Sequence, residues 1–200
     1  RNMLKQELIK QSKKKINKIV FLDHHTCHAY YSYYSAKSRL NNSCVISVDS
    51  YGDGANQTIW MTKKKKLVLV AATDQFELAR IYKFITLILR MKPEEHEFKV
   101  MGLSAYSKKK FILDVYNKVF KNIQKFNGIK IVHKNRPKDL YKYLSESTQS
   151  FRFDNIAGGL QYFVEKMMKD LLVRIYKKYK IRNFYFSGGL SMNVKMYNDL

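Results

Sequence analysis

The sequence predicts an α/β domain built on a mixed sheet with flanking helices. Three observations point there. Short apolar runs of buried-strand character occur at 18–22, 44–48 and 183–186, each followed by a polar or glycine-bearing turn. Elsewhere apolar residues recur every three to four positions, most clearly over 156–175. Finally, 57–62 and 67–72 read as two strands joined over four lysines, a hairpin that brings antiparallel pairing into the sheet. Helices alternating with strands in this order define an α/β layer fold.

Each element has its own justification. Residues 4–16 form a basic, partly amphipathic helix leading into the strand at 18–22. The next helix runs from the histidines at 24–28 on to residue 39, although its tyrosines and serines make it a weak former. The strand at 44–48 ends at Asp49 and enters the turn Asp49-Ser50-Tyr51-Gly52-Asp53-Gly54. After the hairpin, 76–91 is helical by its spacing and Pro93 closes it. Residues 94–107 fit no simple period. An amphipathic helix over 111–126 stops at Asn127-Gly128, and within the polar stretch 129–153 only 129–132 is strand-like. Asp154 is the expected cap of the helix at 156–175. The strand at 183–186 turns through Ser187-Gly188-Gly189 into a last helix.

Composition bounds the function classes. With 200 residues, 46% hydrophobic and 14% aromatic, the chain supports a packed core and argues against disorder. It reads as one partial domain over 1–200, cut at both ends. The net charge of +22 raises a nucleic-acid hypothesis. However, the excess is mostly Lys, in short scattered runs at 13–15, 63–66, 108–110 and 177–178. Such runs read as solvated surface, in the Asn-, Ile- and Tyr-rich setting of an AT-rich genome. A non-catalytic basic nucleic-acid-binding module is therefore the rival from another class, and a nucleic-acid partner is not expected. Two cysteines make no disulfide framework and fit a reducing compartment. No apolar run approaches the roughly 20 residues of a membrane span, so no membrane partner is expected and the cytoplasm is the expected location.

The run Asp23-His24-His25-Thr26-Cys27-His28-Ala29 is the most informative stretch. His24 and His28, four apart on a helix, lie about 5–6 Å from Cβ to Cβ, close enough to share one metal ion. Paired histidines can equally cap a helix or hydrogen-bond in a crevice. Asp23, His25 and Cys27 are the neighbours that compete as ligands or bases. The pattern is not H-E-x-x-H, which excludes that class of zinc peptidase. Asp49 closes a strand with a carboxylate, and Gly52 and Gly54 allow backbone N–H groups to approach a phosphate. Taken alone, that turn reads as an ordinary Asp-Gly hairpin. Ser187-Gly188-Gly189 between strand and helix suits a phosphate or sugar, or simply a tight turn. Lys99, in Glu97-Phe98-Lys99-Val100-Met101-Gly102-Leu103, meets an anionic group or is one more surface lysine. His96 and His133 read as surface histidines.

Taken in order, these motifs carry a resemblance. His24-His25-Thr26-Cys27-His28-Ala29, Asp49 to Gly54, Glu97 to Leu103 with Ala105-Tyr106, and Ser187-Gly188-Gly189 through Asn193 resemble the NodU/CmcH carbamoyltransferase family. Its members look like H-H-x-x-H-A, D-G-x-G-D/E, E-F/Y-K-x-M-G-L-A/S-x-Y/F-G and S/A/G-G-G-x-x-x-N. The resemblance covers about 18–200. It implies part of an actin-like ATPase (ribonuclease H-like) domain, and a divalent metal, iron or similar, held by His24, His28 and Asp49. It also implies nucleotide contacts through Ser187, Gly188, Gly189 and Asn193, to which the glycines Gly52 and Gly54 are added. His25, Asp53 and Lys99 are candidates for further substrate or nucleotide contact; no catalytic base is assigned.

The implied reaction takes carbamoyl phosphate and ATP, forms carbamoyladenylate and passes the carbamoyl group to a hydroxyl of a small-molecule acceptor. A further metal-binding aspartate and a C-terminal carbamoyl-phosphate domain of the same parent chain are expected beyond residue 200, so the fragment is expected to be incomplete alone. Ser50 and Ser107 stand where the family usually has Gly. The rival within the fold is the tRNA threonylcarbamoyl transferase TsaD, whose H-x-E-G-H differs from Thr26-Cys27 here. The glycine pair should open onto the metal's cleft with the following helix aimed inward. Gly188→Val is accordingly expected to abolish nucleotide use and spare the metal.

Overall fold

The computed structural model describes residues 2–12, 16, 18–132 and 137–199, which leaves the lysines at 13–15 and His133 outside the description. Its centre is a four-stranded mixed sheet of β1 (Ser43–Gly52), β2 (Ala55–Lys63), β3 (Lys66–Thr73) and β6 (Asn183–Ser187), in the order β3-β2-β1-β6. β1 runs antiparallel to β2 and parallel to β6, so the expected mixed sheet is present. A small hairpin of β4 (Lys125–Asn127) and β5 (Lys130–Val132) stands apart.

β1 is apolar on both faces because both are covered. Cys44, Ile46 and Val48 face one core with α3 (Leu78–Ile88) and α7 (Phe153–Tyr179). Val45 joins Ala29, Tyr33, Trp60 and Leu67 beneath α2 (His24–Tyr34) on the other. The spacing read over 156–175 is the buried stripe of α7, against which α4 (Glu97–Leu103) and α5 (Lys109–Val115) pack. The described lysine runs at 63–66, 108–110 and 177–178 are all exposed, on separate elements.

Several expectations need correction. Residues 18–22 form no strand: they pair with neither edge of the sheet, and Val20 and Leu22 are 61% and 59% exposed. The first helix, α1 (Asn2–Gln11), buries no residue. The helix expected to reach residue 126 leaves α geometry after Val115 for a π turn at Tyr116–Phe120. Asp154 is not the cap of α7. Arg152 is, and Asp154 sits in the first turn, accepting from Arg152 and from the Asn155 amide. After Gly188 the chain makes two 3₁₀ segments, Gly189–Met192 and Val194–Asp199, rather than an α-helix. The polar stretch hides α6 (Leu140–Thr148), capped by Asp139, whose carboxylate accepts from the Lys142 amide at 2.9 Å.

The packing of α7 gives a direct test. Phe163 is fully buried and its ring stacks on Phe120 with centroids 5.5 Å apart. Phe163→Ala should lower stability by about 3–5 kcal/mol in chemical denaturation. A loss under about 1 kcal/mol would place the ring outside the core.

Candidate functional site

Two β-strand ends create the site. Between Val48, paired with Gln57, and Gly52, paired with Ala55, three residues of β1 face only Asn56 of β2. This bulge turns Asp49 out of the sheet's alternation. On the other side β6 runs parallel to β1, and its last pairing sets Ser187 beside Ser47. Gly188 and Gly189 therefore follow alongside Val48 and Asp49, at the carboxyl ends of neighbouring parallel strands, where open α/β sheets bind ligands.

α2 delivers the histidines. Asp23 caps it, its carboxylate accepting from the Thr26 amide at 2.8 Å and from the Thr26 hydroxyl. Asp53, in the two-residue turn after β1, accepts from the His24 amide at 2.8 Å. That turn, Asp53-Gly54, has φ of 48° and 87°, as an Asp-Gly hairpin loop of type I′ requires. His24 Nε2 then lies 3.1 Å and His28 Nε2 3.3 Å from Asp49 Oδ2. All three side chains are partly exposed, and their donor atoms lie within 4.8 Å of one another.

These distances have a chemical reading. Bonds of about 2.0–2.2 Å to a divalent metal put neighbouring donors roughly 3–3.5 Å apart in tetrahedral or octahedral geometry. The two separations fall in that interval, and a set of two imidazole nitrogens and a carboxylate oxygen suits a borderline metal with open positions. The residues present thus fit a metal. Burial tends to raise the Asp49 pKa, but hydrogen bonds from the Ser50 amide, His24 and the Gly189 amide outweigh it and hold the carboxyl below its usual range. It is therefore an anion at neutral pH.

Gly52 and Gly188 are needed for close approach. A Cβ on Gly52 would lie 2.3 Å from His24 Cδ2, so this glycine makes room for the His24 ring. Gly188 has φ 83°, and a Cβ there would lie 2.3 Å from the Val48 carbonyl oxygen. The Gly189 amide donates to Asp49. The glycine pair thus supports the carboxylate, and Gly188→Val cannot be expected to spare the cluster of His24, His28 and Asp49. Ser50 strains nothing, since it lies within the extended β1 and its amide bonds Asp49 Oδ1 at 2.8 Å. Ser107 reaches across to Asn155 Oδ1 at 2.7 Å.

Asp49 also lines a cavity of about 540 Å³, shared with Ser50, Gly189 and Asn193. Ala79, Phe98, Met101 and Leu190 give it an apolar side, while Glu94, Glu95 and Glu97 bring carboxylates. That volume falls in the range of small-molecule sites. Asn193 is buried, and its amide is engaged: it exchanges hydrogen bonds with Gln161 at 2.9 and 3.0 Å and accepts from the Met196 amide. Tyr82 joins this network through Gln161 at 3.1 Å, and burial raises its pKa. Gln161 is a buried amide among the apolar residues of α7.

The other candidates separate. Ser187 is buried, with its hydroxyl enclosed. Lys99 is exposed and meets His96 Nε2 at 3.1 Å, whereas its neighbours Glu97, Phe98 and Met101 line the cavity. His25 is 1% exposed and does not line the cavity. Burial lowers its pKa, so it is neutral. Its partners are Ser47 Oγ at 2.9 Å and the Ala55 carbonyl at 3.1 Å. The spacing of the motif marks none of this; only the structure shows which histidine faces in.

The chain is 28% identical over 194 residues to an uncharacterized protein of Methanocaldococcus jannaschii, covering 94% of this chain and 37% of that one. A second uncharacterized protein of that organism is 28% identical over 216 residues, with 98% and 35% covered. An uncharacterized protein of Synechocystis is 24% identical over 196 residues, with 88% and 31% covered. The chain thus spans about a third of the length of these relatives. The profile of the carbamoyltransferase N-terminus matches residues 2–200, and the chain belongs to that family.

Proposed function

We propose that this chain is the metal- and nucleotide-holding part of an O-carbamoyltransferase. The observation that carries the reading is the convergence of His24, His28 and Asp49, from two separate motifs, beside a cavity that Asp49 and Gly189 both line. His24 and His28 would hold a divalent metal, iron by family resemblance, through Nε2, and Asp49 through its carboxylate. When bound, the metal supplies Lewis-acid polarisation of a carbamoyl oxygen. The chain's own residues do the rest. The Ser50 and Gly189 amides orient Asp49, and Phe98, Met101 and Leu190 offer an apolar side for a base. Holding the nucleotide next to the metal site brings activated carbamoyl group and acceptor hydroxyl into one cleft, which is the entropic requirement of the transfer. No helix among the described residues is long and apolar enough to cross a membrane.

In the full-length protein the reading requires pyrophosphate release from ATP that depends on carbamoyl phosphate, because an adenylate forms only when the α-phosphate is attacked and pyrophosphate leaves. Release that is independent of carbamoyl phosphate would overturn it. Metal content by elemental analysis should be about one equivalent per chain, and His28→Ala, which removes a ligand, should weaken retention by more than the roughly 10–100-fold that loss of an outer-shell partner costs. Gly52→Ala, which forces a methyl against the His24 ring, should weaken it too. Full metal content in both variants would remove these residues from the site.

The cavity has a separate test. Ala79→Phe projects a ring from α3 into the space lined by Phe98 and Leu190. It should weaken ATP binding in calorimetry by about tenfold or more while metal content is unchanged. Unchanged ATP affinity would put the nucleotide elsewhere.

A further inference from the structure

His25 is the residue the site chemistry leaves over, and its environment is the most fully specified of any polar side chain near the site. It is buried under α2, between the two strands of the β1–β2 hairpin. The Ala55 carbonyl oxygen only accepts, so His25 Nε2 must carry the proton it shares at 3.1 Å. His25 Nδ1 is then bare and accepts from the Ser47 hydroxyl at 2.9 Å. One tautomer satisfies both partners, and it leaves no nitrogen for a metal or a substrate.

Position on the helix gives this tether its consequence. Successive residues of an α-helix are about 100° apart, so His25 points between one quarter and one third of a turn away from His24 and lies about 60° from His28. The Asp53 carboxylate holds the His24 amide, which fixes the helix end along its axis. Rotation about that axis is set by contacts further round the helix, by Ala29 and Tyr33 in the core and by His25 nearest the cluster. The two bonds of His25, one to β1 and one to β2, oppose that rotation. A turn of about 20° would move an atom about 5–6 Å from the axis by about 2 Å, as much as a metal–nitrogen bond.

We propose that His25 is a positioning residue: by bonding Ser47 and the Ala55 carbonyl from within the core, it sets the rotation of α2 that aims His24 and His28 at Asp49. The inference rests on the metal reading given above. It assigns different work to the two adjacent histidines, His24 facing the ligand and His25 facing the sheet.

The test is titration of the metal-free full-length protein with Co²⁺, read by calorimetry and by the visible d–d absorption of the bound ion, with thermal unfolding alongside. His25→Leu should weaken Co²⁺ binding about 10–100-fold and shift the visible band. His25→Gln, which returns an N–H donor toward the Ala55 carbonyl, should recover part of the affinity. Ser47→Ala, a small change in the same pair, should give an intermediate loss. Unchanged affinity and band in folded His25→Leu overturns the inference, however far the melting temperature falls, because a purely structural role lowers stability alone. If His25→Leu does not fold, unchanged affinity and band in Ser47→Ala overturns it. A parent protein that takes up no Co²⁺, or a His28→Ala variant that binds it as tightly, sinks the metal reading itself, a result distinct from failure at His25.

Discussion

The carboxylate of Asp49 must be reached from three directions at once, and the local structure follows from that constraint. One oxygen is approached by two imidazoles from α2. The carboxyl also accepts amide hydrogens from its neighbour Ser50 and from Gly189 beyond β6. For this to happen β1 must bulge after Val48, and the helix must start close to the hairpin turn. The β6 turn must also pass so near Val48 that Gly188 has no room for a side chain. Each of these local irregularities costs regular pairing or conformational freedom, and each converges on the same few ångströms. Irregularity concentrated in this way is the mark of a site rather than of poor packing.

Charge tells a complementary story. The chain carries +22, yet its described lysine runs lie exposed on separate elements, and the cavity beside Asp49 is lined by Glu94, Glu95 and Glu97 with Lys83 as the one cation among the described residues that line it. Lys83 is itself paired with Glu94. A phosphate-bearing ligand entering this space meets carboxylates at close range, which only a cation can offset. The histidine–aspartate cluster on the cavity's edge is where the proposed divalent ion would do so. The basic surface acts over longer distances and fades with salt, so it would raise the local concentration of the proposed anionic substrates without selecting among them.

Much of this was legible in the sequence. The strand at 44–48, the Lys-tipped hairpin and the stripe of α7 are each present where composition and spacing put them. His24, His28 and Asp49 were legible as candidates through spacing and motif order, and the fold brings them together. What stayed hidden depended on partners far along the chain. Residues 18–22 carry a strand's composition, but they join neither edge of the sheet and stay largely exposed. Leu140, Leu144 and Thr148 make a stripe too short to register against the polar residues around them. The roles of Gly52 and Asn193 lie in contacts with His24 and Gln161, which no local pattern encodes.

The central claim is that α2 and β1 meet to hold one metal ion, and anomalous diffraction tests it most directly. Crystals of the metal-loaded full-length protein, measured on both sides of the iron edge, should show one strong peak about 2.0–2.2 Å from His24 Nε2, His28 Nε2 and an Asp49 carboxylate oxygen. The same experiment above the cobalt edge serves if cobalt is the ion supplied. A peak on other residues, or none here with the metal present in excess, would contradict the account and leave the three side chains as a hydrogen-bonded cluster.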